Sequence, residues 1–205
     1  MLPERRIICV LASYQPTLVN GASEEGYTVR GDRLLLSLKC REIAVAAVMT
    51  ALTVVAATLL RVPAFGARLY FHFGEAVLCT AALIGGRRLG AAVGGVGSFL
   101  ADIVLGLMVW APVSLVVHGL EGYIIGRASD GRGGAKDLKA LLQGVALMVA
   151  GYAAAAWAIY GKAAVPVEIA GDVVQGGVGI VTAWFVSSAI RRAYPALIPR
   201  GWIDG

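Results

Sequence analysis

LKALLQGVALMVAGYAAAAWAIY, running from Leu138 to Tyr160, decides the fold class. Its single charged residue is Lys139, one place from its start. At a rise of about 1.5 Å per residue such a stretch covers the roughly 30 Å hydrocarbon core of a bilayer. Five more apolar runs of comparable length surround it: Ile43 to Leu60, Tyr70 to Gly86, Leu89 to Leu107, Val109 to Gly126 and Ile169 to Ile190. The chain therefore reads as an all-α integral membrane protein of six transmembrane helices. The second run is the least apolar, with only Ala76 to Gly86 free of ionisable groups. The third and fourth are parted by little more than Gly106 and Pro112, and Pro112 suits the first turn of a helix, where its missing N–H costs nothing.

Composition agrees. Of 205 residues 58% are hydrophobic and 15% charged, against about 45–50% and about 25% in soluble chains, which excludes a water-soluble enzyme. Three cysteines, an odd number with Cys79 inside an apolar run, exclude a disulfide scaffold. No G-x-x-x-x-G-K-[ST] loop is present, so uphill transport would draw its energy from a partner or an ion gradient.

Residues 1–40 are of mixed polarity, and their apolar run, Ile7 to Ala12, is too short to span; they read as a poorly ordered cytoplasmic extension. Residues 41–192 are the membrane domain and 193–205 a cytoplasmic tail. With the N-terminus inside, fifteen basic residues fall on inner segments and three, Arg61, Arg68 and Lys162, on outer ones. That asymmetry places both termini in the cytoplasm and accounts for the net charge of +5 without any nucleic-acid partner.

Ionisable groups at membrane depth are costly and default to functional roles. Here they are Glu75, Asp102, His118, Glu121 and Asp172, grouped in the outer half and middle of the spans, which suggests a pocket open outward and closed below. His72 with Glu75, His118 with Glu121 and Asp172 with Gln175 each share a helix face. The two His/Glu pairs could ligate a metal, but mutual pairing already lowers the cost of burial, and no metal or other cofactor is assigned. Ser98 beside Gly97 reads as a small packing residue rather than a nucleophile. Gly90-x-x-x-Gly94 and Gly122-x-x-x-Gly126 read as helix-packing pairs within the bundle.

The stretches Tyr70-Phe-His-Phe-Gly-Glu75, Gly94-Gly-Val-Gly-Ser-Phe-Leu-Ala-Asp102, Trp110-Ala-Pro, His118-Gly-Leu-Glu-Gly122 and Glu168-Ile-Ala-Gly-Asp172-Val-Val-Gln175 carry a resemblance. Over about residues 39 to 192 the chain resembles the substrate-binding S components of energy-coupling-factor (ECF) transporters, riboflavin-type subgroup. Where related proteins often have Asn or Asp after the aromatic-Gly stretch and Lys before the Gly-Leu-Glu-Gly turn, this chain has Glu75 and His118. The resemblance implies six helices, a vitamin or vitamin-precursor substrate, and a plasma-membrane module completed by a transmembrane coupling protein and two cytoplasmic ATPase subunits. It also implies that Ala47 and Ala51 dock on the coupling protein. Substrate is expected at Tyr70, Glu75, Trp110, His118, Asp172 and Gln175, with the loop from Arg61 to Leu69 closing above, a pocket suited to a compact planar heterocycle. No enzymatic step is expected. The rival readings are a free-standing proton-coupled secondary transporter working through Asp102, Glu121 or His118, and a membrane enzyme built on Ser98.

Overall fold

Two glycines with positive φ set the chain's path. The computed structural model describes residues 26–64, 69–129, 131 and 133–194, with side chains from 42 to 60, 72 to 129, 131 and 133 to 194. The elements are α1 (Gly26–Leu59), β1 (Arg61–Ala64), β2 (Leu69–His72), α2 (Gly74–Val104), α3 (Ala111–Ala128), α4 (Ala135–Tyr160) and α5 (Val165–Ala193). Met1–Val45 form a unit of their own, of which the described part is the beginning of α1; the rest of the description concerns the unit Ala46–Gly205.

The described residues thus contain five helices rather than six. The runs expected as the second and third helices join into α2, where Gly86 adopts φ 74° and ψ −170°. Only glycine enters that region at little cost. The chain reverses there: the Ala82 Cβ lies 2.6 Å from where a Cβ on Gly90 would sit. Eight residues of straight helix would hold those positions about 12 Å apart along the axis. The second glycine, Gly106, at φ 74°, ends α2. The Leu107 N–H bonds the Asp102 carbonyl at 2.8 Å and the Gly106 N–H bonds the Ile103 carbonyl at 3.0 Å, a Schellman stop. Pro112 follows in the first turn of α3, so the chain turns with almost no linker.

Tyr70 falls in a strand rather than a helix, because Leu69–His72 pair antiparallel with Arg61–Ala64, Arg61 facing His72 and Ala64 facing Leu69. The aromatic, pleat-favouring composition of Leu69-Tyr-Phe-His explains the preference. Four helical stretches, in α1, α2, α4 and α5, are long and apolar enough to cross a membrane; α3, expected to be a span, has 18 residues and carries His118, Glu121 and Arg127.

Small residues bring the helices together. A Cβ on Gly90 would strike the Gly122 carbonyl, one on Gly94 the His118 carbonyl, and one on Gly126 the backbone of Gly86 and Arg87. The expected glycine pairs therefore pack against each other, binding α2 to α3. On α5, Gly176 fits against Val145 of α4 and Gly179 against Glu75 of α2. The core between them is Leu78, Cys79, Ala82, Leu83, Val93, Ile125, Leu141 and Ala183. On α1, Thr53 lies against Gly97 and Ala57 against Gly74.

At the end where α2 reverses, Arg191 of α5 pairs with the fully buried Asp137 of α4 and donates from Nη2 to the Leu83 carbonyl at 2.8 Å. Helix ends leave carbonyls without donors, and Arg191 supplies one here. Ser129 Oγ donates to Asp137 Oδ1 at 2.6 Å, so one carboxylate fastens α4, α5 and the α3–α4 connection.

Gly122→Val should cost about 1–3 kcal/mol of stability by forcing α2 and α3 apart. Gly177→Ala, which points its Cβ into open space, should leave the unfolding temperature in detergent unchanged or raise it slightly. Equal effects of the two would contradict this packing.

Candidate functional site: a polar cavity with an aromatic wall

Helical spacing aims the polar residues of α3 and α5 at one volume. Trp110, at the N-cap of α3, and Ser114, His118 and Glu121 within it recur every three or four residues, and Glu168, Asp172 and Gln175 do so along α5, so each set shares a face. Except for Glu121, these residues line a cavity of about 220 Å³, together with Ala57, His72, Ser98, Ala101, Asp102, Leu105, Leu107, Tyr152 and Gly171. The cavity lies at the end of the bundle away from Gly86 and the Arg191–Asp137 pair.

Its aromatic wall is continuous. Ring centroids are 5.7 Å apart for Trp110 and Tyr152, 5.3 Å for His118 and Tyr152, and 5.8 Å for Trp110 and Tyr160. Ser114 ties this wall to the acidic side: its hydroxyl donates to Asp102 Oδ2 at 2.5 Å and lies 2.5 Å from the Tyr152 hydroxyl, whose proton completes the chain. Asp172 Oδ2, buried at the cavity, has no hydrogen-bond partner among the described residues.

Behind His118 two carboxylates converge. Glu121 is 0% and Glu75 1% exposed; His118 Nδ1 lies 2.7 Å from Glu121 Oε2 and 3.6 Å from Glu75 Oε2. Cys79 donates its weak S–H to Glu75 Oε1 at 4.0 Å. Glu75, Cys79 and Glu121 offer ligand atoms within 4.8 Å of one another, a set able to hold a divalent metal, but Cys79 is already paired with Glu75 and Glu121 with His118.

Among the residues expected to bind substrate, Trp110, His118, Asp172 and Gln175 meet at the cavity, and Glu75 sits behind it, packed against Gly179. The side chain of Tyr70 and the loop 65–68 lie outside the described residues. Tyr152, Ser114 and Glu168 were not anticipated. Glu168 was legible as the position one turn before Asp172. Asp102 and His72 stood out as polar groups without an assigned role. Ala47 and Ala51 are exposed on α1.

Long apolar helices around a polar cavity with an aromatic wall are the architecture of a membrane protein with a candidate ligand site. Residues 37–192 match the family described as ECF-type riboflavin transporter, S component, and the chain belongs to that family, one of transporters rather than of enzymes. It is similar to the thiamine precursor transporter HmpT of Lactococcus lactis subsp. cremoris, with 30% identity over 161 residues, 78% of this chain and 93% of that protein. It is also similar to an uncharacterized protein in the gap 3′ region of Pyrococcus woesei, with 36% identity over 124 residues, 60% of this chain and 83% of that protein.

Removing one partner from a buried hydrogen-bonded pair costs about 1–3 kcal/mol, because the group left behind stays buried without its bond. His118→Ala should therefore lower the unfolding temperature sharply, and adding Glu121→Gln to it should restore part of the loss. An unfolding temperature unchanged by His118→Ala would contradict the pairing.

Proposed function

We propose that the protein captures a vitamin or vitamin precursor from outside the cell in the cavity between Trp110, Tyr152, His118 and Asp172, and hands it to an ECF module in the plasma membrane. The observation that carries this reading is the cavity itself: an aromatic wall opposite fixed polar groups, at one end of an apolar bundle. Name and family lend further support, since the similar Lactococcus protein is called a thiamine precursor transporter.

In this reading the two arms of α2 each cross the bilayer, so six spans and an even topology leave both termini cytoplasmic. The cavity then faces outward. Arg87, Arg88, Arg127, Lys136, Lys139, Arg191 and Arg192 lie toward the opposite end, as the positive-inside rule requires of the cytoplasmic side. The chain has no G-x-x-x-x-G-K-[ST] loop, so uphill transport draws on a partner or an ion gradient, and the family favours the partner: a transmembrane coupling protein with two ATPase subunits. The exposed small residues Ala47 and Ala51 of α1 form the docking face, where their size lets a partner helix approach closely. Substrate binding and delivery involve no covalent step.

Ala51→Trp should reduce ATP-dependent uptake by reconstituted ECF module and S component at least tenfold while changing the dissociation constant of the isolated S component less than threefold. Uptake by the isolated protein driven by a proton gradient, insensitive to Ala51→Trp, would instead favour a secondary transporter.

A further inference from the structure

His118 meets the cavity with one edge of its ring and two buried carboxyl groups with the other. Resting on the reading that this cavity is the substrate site, we propose that Glu75 and Glu121 are positioning residues. They hold His118 Nε2 protonated and turned to the cavity, so that the site reads its substrate through a hydrogen-bond acceptor on the ligand.

Geometry fixes which nitrogen faces which way. His118 lines the cavity and Glu121 does not. Nδ1 lies 2.7 Å from Glu121 Oε2 and 3.6 Å from Glu75 Oε2, which leaves Nε2, across the ring, on the cavity side. Nδ1 has its partner in Glu121; Nε2 has none among the described residues.

The number of protons follows from charge. Among the described residues His118 is the ion-pair partner of both carboxyl groups, and no lysine or arginine joins them. An uncompensated charge in a low-dielectric interior is costly, so the cluster is held without net charge. An imidazole and two carboxylic acids, all neutral, carry three protons, and so does every other arrangement of the three groups with no net charge.

The places of those protons follow from the hydrogen bonds. One lies in the contact between His118 Nδ1 and Glu121 Oε2. A second lies between the carboxyl groups: Glu75 Oε2 and Glu121 Oε1 are buried without a donor among the described residues, and the two side chains are within hydrogen-bonding reach of each other. Two acceptors satisfy each other only through a proton. The third sits at one end of this chain, on Glu75 Oε1 or on His118 Nε2. Oε1 already accepts the Cys79 S–H, so the proton is on Nε2. A lone carboxylate behind the ring would take the Nδ1 proton of a neutral imidazole and leave Nε2 a bare acceptor. The second carboxyl group reverses that polarity. A ring nitrogen with a free lone pair, or a carbonyl oxygen, is the ligand atom that fits opposite.

Two measurements on the detergent-purified protein test this. In the nitrogen-15 spectrum of histidine-labelled protein at neutral pH the chain's two histidines are separated by His72→Gln. The expected result is a proton bonded directly to His118 Nε2; a bare Nε2 overturns the proposal. Calorimetric titration then compares aminopyrazine with aniline, both neutral, which share one amino group and differ in the acceptor nitrogens of the ring. Aminopyrazine should bind about threefold tighter or more. Glu121→Leu, which removes the partner of Nδ1 without touching the cavity lining, should bring the two to parity. Glu121→Gln should restore the preference, because its amide accepts from Glu75 and donates to Nδ1. The parent spectrum decides even where the leucine variant does not fold. Equal binding of the two probes to the parent overturns the proposal. A bare Nε2 with aminopyrazine bound, and lost in Trp110→Ala, refutes the proton arrangement and leaves the cavity as the site. A protonated Nε2 with neither probe bound, or with both bound undiminished in Trp110→Ala, refutes the cavity as the site and the proposal with it.

Discussion

The backbone-to-backbone approach of α2 and α3 is the constraint on which the rest depends. Gly90, Gly94 and Gly126 leave no room for a single methyl group between the two helices. Without a hydrophobic force between helices in lipid, close packing of this sort is what holds them together. It also places the chemistry. With Gly94 seated on the His118 carbonyl, the His118 ring is brought beside Glu75 on the other arm of α2, and Ser114, one turn along α3, reaches Asp102 near the end of that helix. Gly179 repeats the device from α5, fitting against the Glu75 side chain and carrying Gln175 and Asp172 to the cavity above. Glycine-to-glycine packing and the polar site are two results of one geometry.

The two ends of the bundle are stabilised differently. One is fastened by Arg191, Asp137, Ser129 and the Leu83 carbonyl, although Arg191 Nε is buried there without a partner among the described residues. The other keeps an open volume edged by carboxyl groups, with Asp172 Oδ2 without a donor among the described residues. A binding site needs such unmet polar capacity, whereas the fastened end gives α4 and α5 a fixed base.

Much of the fold was legible because a bilayer imposes length. Apolar runs of the required size marked α4 and α5 to within a few residues of one end or the other, and Gly106 with Pro112 marked the turn into α3. Gly86 was not legible as a reversal. A glycine before two arginines reads as a span boundary, and hydropathy says nothing of whether the ladder resumes at once in a new direction, as it does in α2. The hairpin at Tyr70 was missed because a four-residue strand has no periodicity strong enough to oppose the apolar run that follows it.

Site residues followed the same logic. Asp172 and Gln175, or His118 and Glu121, could be paired from helical spacing alone, since three residues along a helix define a face. Tyr152 could not, because its approach to Trp110 and Ser114 depends on how α4 packs on α3, which Gly144 and Gly151 govern through contacts with Ile125 and Val117. The central claim is that this cavity holds the transported molecule. Native mass spectrometry of the gently purified protein tests it most directly: the account predicts an adduct of one small molecule on the parent chain, absent from a folded Asp172→Ala, Gln175→Ala double variant. An adduct retained equally by both would contradict it.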